Sequence, residues 1–239
     1  QLYRVLTLPC IGGPQQGEPV VWRNGCLCGN IDLAQQTLEA ERRAKALWAR
    51  KQFEDNSIIS KNLQRCTLDN YNPLHPTQEY MLAVAKRLVE GFHENMSFNC
   101  VLHGPFGVGK SHLAYGVCNG LMERGFITVY ISLPELQKLL RDAYDKKGEE
   151  MKLYNLLRRA DFLVLDELGG VPQSKWTDDI LLGIFEGRAG KVTMYTSNYG
   201  PDELRKWMNP RNFSKFSFDL KYFEVHGQDY RQEGGRINA

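Results

Sequence analysis

The sequence predicts an α/β protein whose parallel sheet is covered by helices on both faces. From residue 56 onward, short apolar runs alternate with longer amphipathic stretches, which is typical of strands buried on both sides. A glycine-rich stretch, GPFGVGKS at residues 104–111, lies between an apolar run and a helical one. A second apolar run, DFLVLDE at residues 161–167, ends in two adjacent carboxylates. Together these three observations predict a sheet with polar groups gathered at one edge.

The size and composition fit one sizeable domain with an extension. The chain has 239 residues, of which 42% are hydrophobic, and this is enough for one full core. Its 30 basic and 28 acidic residues give a net charge of +2, so any nucleic-acid-binding patch must be local. The sequence has no run near the roughly 20 apolar residues that cross a bilayer, and its first ten residues do not resemble a signal peptide. We therefore expect a cytoplasmic protein without a membrane partner.

The N-terminal part is predicted to form an arm, residues 1–55. Residues 1–30 are rich in Gly, Pro and Cys, which predicts turns around a short strand, PVVW. Residues 31–54 contain strong helix formers and neither Gly nor Pro, so a helix of about six turns is expected. Its apolar stripe is interrupted by Glu41 and other charges, which indicates partial docking or an absent partner. We place the boundary of the main domain, residues 56–239, near Asn56.

The main domain is predicted to begin with a turn-rich connector at residues 57–76. Thr77 is the candidate N-cap of the first helix, residues 77–92. Strands are then predicted at residues 98–104, 127–132, 161–167 and 191–198. The intervening helical stretches are residues 111–125, 134–160 and 176–190.

The glycine-rich stretch fits the phosphate-loop pattern G-x-x-x-x-G-K-[ST]. It follows a predicted strand and precedes a predicted helix, as that pattern requires. Backbone N–H groups of such a loop surround phosphate oxygens, the lysine reaches the β- and γ-phosphates, and the serine binds Mg²⁺. The alternative is a glycine-rich turn with an accidental Lys-Ser pair. The predicted nucleotide-binding residues are Gly104, Pro105, Phe106, Gly107, Val108, Gly109, Lys110, Ser111 and His112.

Two further strand ends add candidates for hydrolysis. Asp166 would orient Mg²⁺ together with Ser111, and Glu167 would polarise the water that attacks the γ-phosphate. If the strand at residues 191–198 lies between the other two motif strands, Asn198 would point at the γ-phosphate. A simple strand-end turn is the alternative for Asn198. Near the C-terminus, Arg211, Lys215 and Arg231 are either stabilisers of phosphate charge or ordinary solvated cations.

At this point the chain from about Ile58 to Arg231 resembles the AAA+ P-loop ATPases that load replicative helicases in bacteria and their phages, the DnaC/DnaI type. The resemblance is carried by GPFGVGKSHLA, LRRADFLVLDELG, MYTSN and FEVHGQDYR. It implies ATP as the nucleotide, Asn198 as sensor 1 and Arg231 as sensor 2. About 40 residues follow Asn198, which fits the family's short C-terminal end without a full lid domain.

The sequence departs from this family in two places. The family often has two arginines four residues apart before its closing motif, whereas this chain has Arg211 and Lys215, and either could act on a neighbouring subunit's nucleotide. Some loaders bind zinc through C-x-x-C followed by C-x-C, and here only Cys10, Cys26 and Cys28 match. The fourth zinc ligand would be Cys66, a histidine or a residue upstream. Three reduced cysteines are the alternative.

The resemblance implies ATP-dependent loading of a hexameric DnaB-type helicase onto single-stranded DNA during replication initiation. Residues 1–55 would engage the helicase, and the ATPase domain would self-assemble in a bacterial or phage-infected cell. DNA contact is expected between Leu139 and Lys152, where basic residues alternate with Tyr, or in RRAKALWARK; two solvated helix faces are the alternative. The competing interpretations are an IstB-type transposition helper acting on duplex DNA, a DnaA-type initiator, and a non-enzymatic protein with a relict nucleotide site.

Overall fold

The computed structural model describes residues 5–9, 19–23, 59–144, 146 and 148–230, and the single positions 44, 47, 48, 51, 54 and 57. The chain divides into two compact units, residues 1–45 and 46–239. The predicted functional division at Asn56 stays a prediction. Among the described residues, no helix has the length and apolar character needed to span a membrane.

The first unit contains an antiparallel hairpin. Strand β1, Val5–Pro9, pairs with strand β2, Pro19–Arg23. The predicted strand PVVW is therefore present as β2, whereas β1 was expected to be part of a turn region. The described positions between 44 and 54 are helical, in agreement with the predicted arm helix at those positions.

From residue 59 on, the described residues of the second unit contain a five-stranded sheet, a 3-10 helix at Leu63–Arg65 and the seven α-helices named below. The strands are β3 (Asn99–His103), β4 (Thr128–Ser132), β5 (Phe162–Asp166), β6 (Val192–Ser197) and β7 (Leu220–Glu224). The helices are α1 (Pro76–Gly91), α2 (Lys110–Glu123), α3 (Leu133–Ala143), α4 (Glu149–Arg159), α5 (Lys175–Gly187), α6 (Pro201–Trp207) and α7 (Pro210–Phe216).

The sheet is parallel throughout, in the order β4-β5-β6-β3-β7. All residues of β5 and β6 are buried, and an apolar core packs on each face of the sheet. Continuous burial explains why these strands read as apolar runs in the sequence rather than as alternating patterns. The predicted fold class, an AAA+ P-loop-like parallel sheet between helices, is confirmed. Strand β6 lies between β3 and β5, so the carboxyl ends of these three strands are adjacent.

Three local predictions differ from the structure. Helix α1 is capped by His75, whose Nδ1 accepts the N–H of Thr77 at 3.2 Å, so Thr77 lies inside the helix. The single helical stretch predicted at residues 134–160 is two helices, because Gly148 adopts a left-handed conformation with φ of 85° before α4. Strand β7 and the short helices α6 and α7 were not predicted.

Candidate nucleotide-binding site

The predicted site residues come together at the carboxyl ends of β3, β5 and β6. The glycine-rich loop follows β3, Asp166 ends β5, and Asn198 follows β6 directly. The condition set for Asn198 is met, because β6 lies between the other two strands. Its side-chain oxygen Oδ1 lies 2.9 Å from the Nζ atom of Lys110.

The loop backbone depends on glycine at its first position. Gly104 has φ of 145°, a value that side chains rarely adopt. A Cβ atom at Gly104 would lie 2.1 Å from the carbonyl oxygen of Val225. The segment after β7 therefore packs directly against the loop, and the N–H of Tyr230 donates to the carbonyl of Gly107 at 3.1 Å. The close approach of Val225 and the hydrogen bond from Tyr230 both support the loop from the segment that follows β7.

Lys110 is held with its ammonium group inside the loop. Its Nζ donates to the carbonyl oxygens of Gly104 and Pro105, at 2.8 and 2.6 Å, and to Asn198. Only 7% of the residue is exposed. Because an ammonium has three N–H groups, these contacts fix its position without any ligand. Phosphate oxygens can then bind this charge by replacing neutral acceptors.

The carboxylate of Asp166 is buried and surrounded by hydroxyl groups. Ser111 Oγ donates to Oδ1 at 3.0 Å, and the hydroxyl of Thr196 donates to the same oxygen. The hydroxyl of Tyr130 donates to Oδ2 at 2.5 Å. Burial, followed by the nearby Asp166 charge, raises the pKa of Tyr130 far above its usual value, so its hydroxyl keeps its proton. The sequence analysis gave no role to Tyr130 or to Thr196, although Thr196 lies within MYTSN, because their contacts with Asp166 arise only when β4 and β6 lie on either side of β5.

Glu167 is exposed at the cavity and has an unusual backbone. Its φ is 59°, in the left-handed region, which costs roughly 1–3 kcal/mol for a residue with a side chain. Its N–H donates to the hydroxyl of Thr196 at 3.1 Å, and the N–H of Gly170 donates to its carbonyl at 2.8 Å. Glu167 is exposed whereas the neighbouring Asp166 is buried, so the two acidic residues occupy different environments.

Lys110, Ser111, Glu167, Thr196 and Asn198 line one cavity of about 650 Å³, a volume typical of sites for small molecules and cofactors. Six of the nine predicted nucleotide-binding residues line it, whereas Gly104, Pro105 and Val108 belong to the loop but are not part of the lining. The connector before α1 supplies a second wall that the sequence analysis did not assign to the site. Its lining residues are Asn62, Leu63, Cys66, Asn70, Tyr71 and Asn72.

His112 joins this second wall to the phosphate loop. Its Nε2 donates to the carbonyl of Thr67 at 2.8 Å and lies 3.0 Å from Oδ1 of Asn70. Its ring meets the edge of Tyr71 at a centroid distance of 5.0 Å. Burial lowers the pKa of His112, and the hydrogen bond to Thr67 only partly opposes this. His112 therefore acts here as a neutral donor that positions the connector.

Two further predicted residues, Arg211 and Lys215, are not among the residues that line the cavity. Arg211 and Lys215 lie on α7 and face Glu186, at 3.5 and 3.7 Å. Arg231 lies outside the described residues, as do the three cysteines Cys10, Cys26 and Cys28. Across the described part of the chain, no group of three or more His, Cys, Asp or Glu side chains could hold a metal ion. The zinc prediction therefore has no support from the described residues.

Comparison with known proteins identifies the family. Residues 35–220 match the model of the IstB-like ATP binding proteins. The chain belongs to this family. ATP, the nucleotide expected from the sequence, agrees with this family description.

Named relatives confirm the predicted resemblance to the DnaC/DnaI type. The chain is 28% identical over 203 residues to the replicative helicase loader DnaC of Escherichia coli strain K12, covering 80% of this chain and 82% of DnaC. It is 23% identical over 180 residues to the replicative helicase loader DnaI of Bacillus subtilis strain 168, covering 74% of this chain and 58% of DnaI. The crystal structure of the DnaC helicase loader superposes with a TM-score of 0.64 at 24% identity, covering 70% of this chain and all of that one, which shows a common fold.

Proposed function

We propose that this protein is an ATPase that loads a hexameric replicative helicase onto single-stranded DNA. The observation that carries the ATPase is the convergence of Lys110, Glu167 and Asn198 on one cavity. Asp166 lies directly behind the lining and accepts a hydrogen bond from Ser111, which lines it. The names of the relatives support helicase loading as the work that ATP drives.

The side chains of the site have separate roles in this proposal. The ammonium of Lys110 binds the β- and γ-phosphates as a point charge. Ser111 and Asp166 fit Mg²⁺, because their oxygens lie 3.0 Å apart and oxygen ligands are those that Mg²⁺ prefers. When bound, Mg²⁺ neutralises charge on the phosphate oxygens.

Hydrolysis requires two more groups. The exposed carboxylate of Glu167 accepts a proton from the water that attacks the γ-phosphate. Asn198 holds the γ-phosphate and this water in line, since its amide already contacts Lys110 at the loop.

The arm is the proposed helicase-binding part. In its helix, Leu47 and Trp48 are 70% and 50% exposed. Large apolar side chains at such exposure are typical of surfaces that bind a partner helix or groove. We expect these two residues to contact the helicase.

DNA contact is proposed between α3 and α4. Tyr144 is 79% exposed there, and Lys146 and Lys152 line an open groove of about 500 Å³ between the two helices. Aromatic stacking combined with nearby basic groups is a common mode of single-strand binding. Part of this charge is already neutralised, because Lys152 pairs with Glu149 at 2.6 Å, so we expect modest affinity.

The first experiment is co-elution of the chain with a purified DnaB-type helicase hexamer, with and without ATP. Wild type is compared with a Leu47→Ala/Trp48→Ala variant. Tyr80→Ala is the matched control, because Tyr80 is also an exposed large apolar residue, at 60%, but lies on α1. We expect wild type and the control to co-elute with the hexamer and the double variant to bind at least tenfold more weakly, a change of about 1.4 kcal/mol.

The same experiment addresses the IstB-type alternative. If wild type does not bind the helicase and duplex DNA, rather than single-stranded DNA, stimulates ATP turnover, the transposition-helper interpretation replaces helicase loading. If wild type and the double variant bind equally, the loader proposal stands and the arm contact is wrong.

A further inference from the structure

The hydroxyl group of Thr196 connects the two acidic residues of the site. It donates to Oδ1 of Asp166 and accepts the backbone N–H of Glu167 at 3.1 Å. Thr196 is 2% exposed and lies in β6, two residues before Asn198. One buried oxygen therefore contacts the proposed metal ligand and the backbone of the proposed base.

The direction of these hydrogen bonds is determined by chemistry. An ionised carboxylate only accepts and a backbone N–H only donates. The hydroxyl of Thr196 must therefore donate a hydrogen bond to Asp166 and accept one from the N–H of Glu167. We propose that Thr196 is a positioning residue that holds the backbone of Glu167 in the geometry needed to activate water; this inference rests on the proposed ATPase function.

The left-handed backbone of Glu167 explains why such support is needed. The N–H of the next residue, Leu168, donates to the carbonyl of Thr196 at 2.8 Å. The hydroxyl of Ser197 donates to the carbonyl of Leu168 at 2.6 Å. Residues 167 and 168 are thus attached to β6 at successive positions, and the Thr196 hydroxyl makes the contact nearest the turn. Without it, the N–H of Glu167 loses a partner beside a strained φ angle.

Asp166, in contrast, keeps other partners when this hydroxyl is removed. Tyr130 still donates to Oδ2, and Ser111 still donates to Oδ1. Loss of the Thr196 hydroxyl should therefore disturb Glu167 more than the nucleotide and metal contacts. A role in positioning the base therefore predicts a loss of turnover with nucleotide binding retained, whereas general support of the site predicts a loss of both.

The test compares Thr196→Val, which has nearly the same shape and no hydroxyl, with Thr196→Ser, which keeps the hydroxyl. Thr193→Val is the control, because Thr193 is a buried threonine of the same strand whose hydroxyl instead accepts from Arg188 Nε, at 3.2 Å. We expect Thr196→Val to lower kcat by about 10- to 100-fold, as loss of a supporting contact typically does. KM for ATP and the Kd of a fluorescent ATP analogue should stay within about threefold of wild type. Thr196→Ser should recover most of the turnover.

A second readout does not depend on hydrolysis. Amide hydrogen exchange of Glu167, followed by NMR on the full chain, should be at least tenfold faster in Thr196→Val and remain slow in Thr196→Ser. If Thr196→Val does not fold, Thr196→Cys replaces it, since a thiol is only a weak donor.

The outcomes separate the two proposals. The positioning role is overturned if Thr196→Val has the same kcat and the same amide exchange as wild type. It is also overturned if Thr196→Ser loses as much turnover as Thr196→Val, or if Thr196→Val loses nucleotide binding. If wild type turns over ATP no faster than Glu167→Gln, the ATPase proposal fails, and the exchange measurement still decides whether Thr196 holds Glu167.

Discussion

At the residue scale, the cavity separates binding from hydrolysis. Lys110 is buried and held by three acceptors, whereas Glu167 is exposed and reaches the cavity from a strained turn. Removing the lysine leaves the loop without its positive charge, and removing the acidic group of Glu167 leaves the phosphate contacts intact.

We therefore expect Lys110→Ala to weaken ATP binding by at least 100-fold and Glu167→Gln to keep the Kd within about threefold while lowering kcat by at least 100-fold. Lys86→Ala is the control, since Lys86 is a half-exposed lysine that pairs with exposed Asp69, and neither residue lines the cavity. Fluorescent nucleotide titration and phosphate release measure both quantities. Turnover near the wild-type rate in Glu167→Gln would remove this residue from the mechanism.

His112 gives the connector wall a pH dependence. Burial lowers its pKa below 6.5 in the folded state, so the unfolded chain binds this proton more readily. The stability associated with neutral His112 is therefore fully present above pH 6.5 and decreases as the pH falls below it. We expect the Tm of wild type to fall further between pH 7.5 and 5.5 than the Tm of His112→Gln, whose amide does not titrate. His93→Gln, a change at an exposed histidine, should retain the wild-type loss; equal losses in all three proteins would contradict the assignment.

At the element scale, the loop after β3 and the segment after β7 form one packed unit. The carbonyl of Val225 occupies the space where a side chain at Gly104 would lie, and the N–H of Val225 donates to the carbonyl of His103 at 2.8 Å. The curve of the phosphate loop therefore depends on the segment that directly follows β7.

This packing predicts opposite effects for two glycine substitutions. Gly104→Ala places a methyl group 2.1 Å from backbone and requires a φ of 145°, so we expect a loss of stability of about 2 kcal/mol or more together with weaker ATP binding. Gly91 is the last residue of α1, and no atom lies within 4 Å of the methyl group that Gly91→Ala adds. We therefore expect Gly91→Ala to raise the free energy of unfolding by about 0.4–1 kcal/mol. Urea unfolding and nucleotide titration test both variants. A stable Gly104→Ala with unchanged affinity would show that the loop adjusts freely.

The sequence predicted the elements that carry a strong local signal. The apolar strands β3, β5 and β6 and the glycine-rich loop follow from burial and motif spacing. The break at Gly148 was missed because the flanking helical pattern continues on both sides of it. Tyr130 and Thr196 were missed because their roles arise only when β4 and β6 are placed on either side of β5. Pairing between strands distant in the sequence determines those contacts.

At the scale of the whole molecule, the cations of α7 and the nucleotide cavity lie at opposite ends of the sheet strands. Lys215 lines a groove with Asn99, which begins β3, and Lys191, which precedes β6. The cavity lies at the other end of these strands. Because a strand rises about 3.3 Å per residue, a strand of five residues separates its two ends by roughly 15 Å. Arg211 shares with Lys215 the partner Glu186, which also lines this groove, so we expect neither cation to reach the nucleotide of its own chain.

If these cations stabilise charge during hydrolysis, they do so for a neighbouring copy. An Arg211→Ala/Lys215→Ala variant keeps Glu167 but lacks the cations, whereas Glu167→Gln keeps the cations but lacks the base. We expect each protein alone to hydrolyse ATP at least tenfold more slowly than wild type, and an equimolar mixture to regain a measurable part of the turnover. Mixing is informative because only a mixed assembly joins an intact base to an intact cation.

Single substitutions then distinguish the two cations. Arginine presents a planar fork that matches phosphate oxygens, whereas lysine is a compact point charge, so Arg211→Ala should lower turnover more than Lys215→Ala. The shared partner Glu186 gives a control, since Glu186→Gln removes the counter-ion of both residues and leaves both cations in place. A mixture no more active than its two components would mean that the cations do not act between copies, and Arg211 and Lys215 would then be ordinary surface charges paired with Glu186.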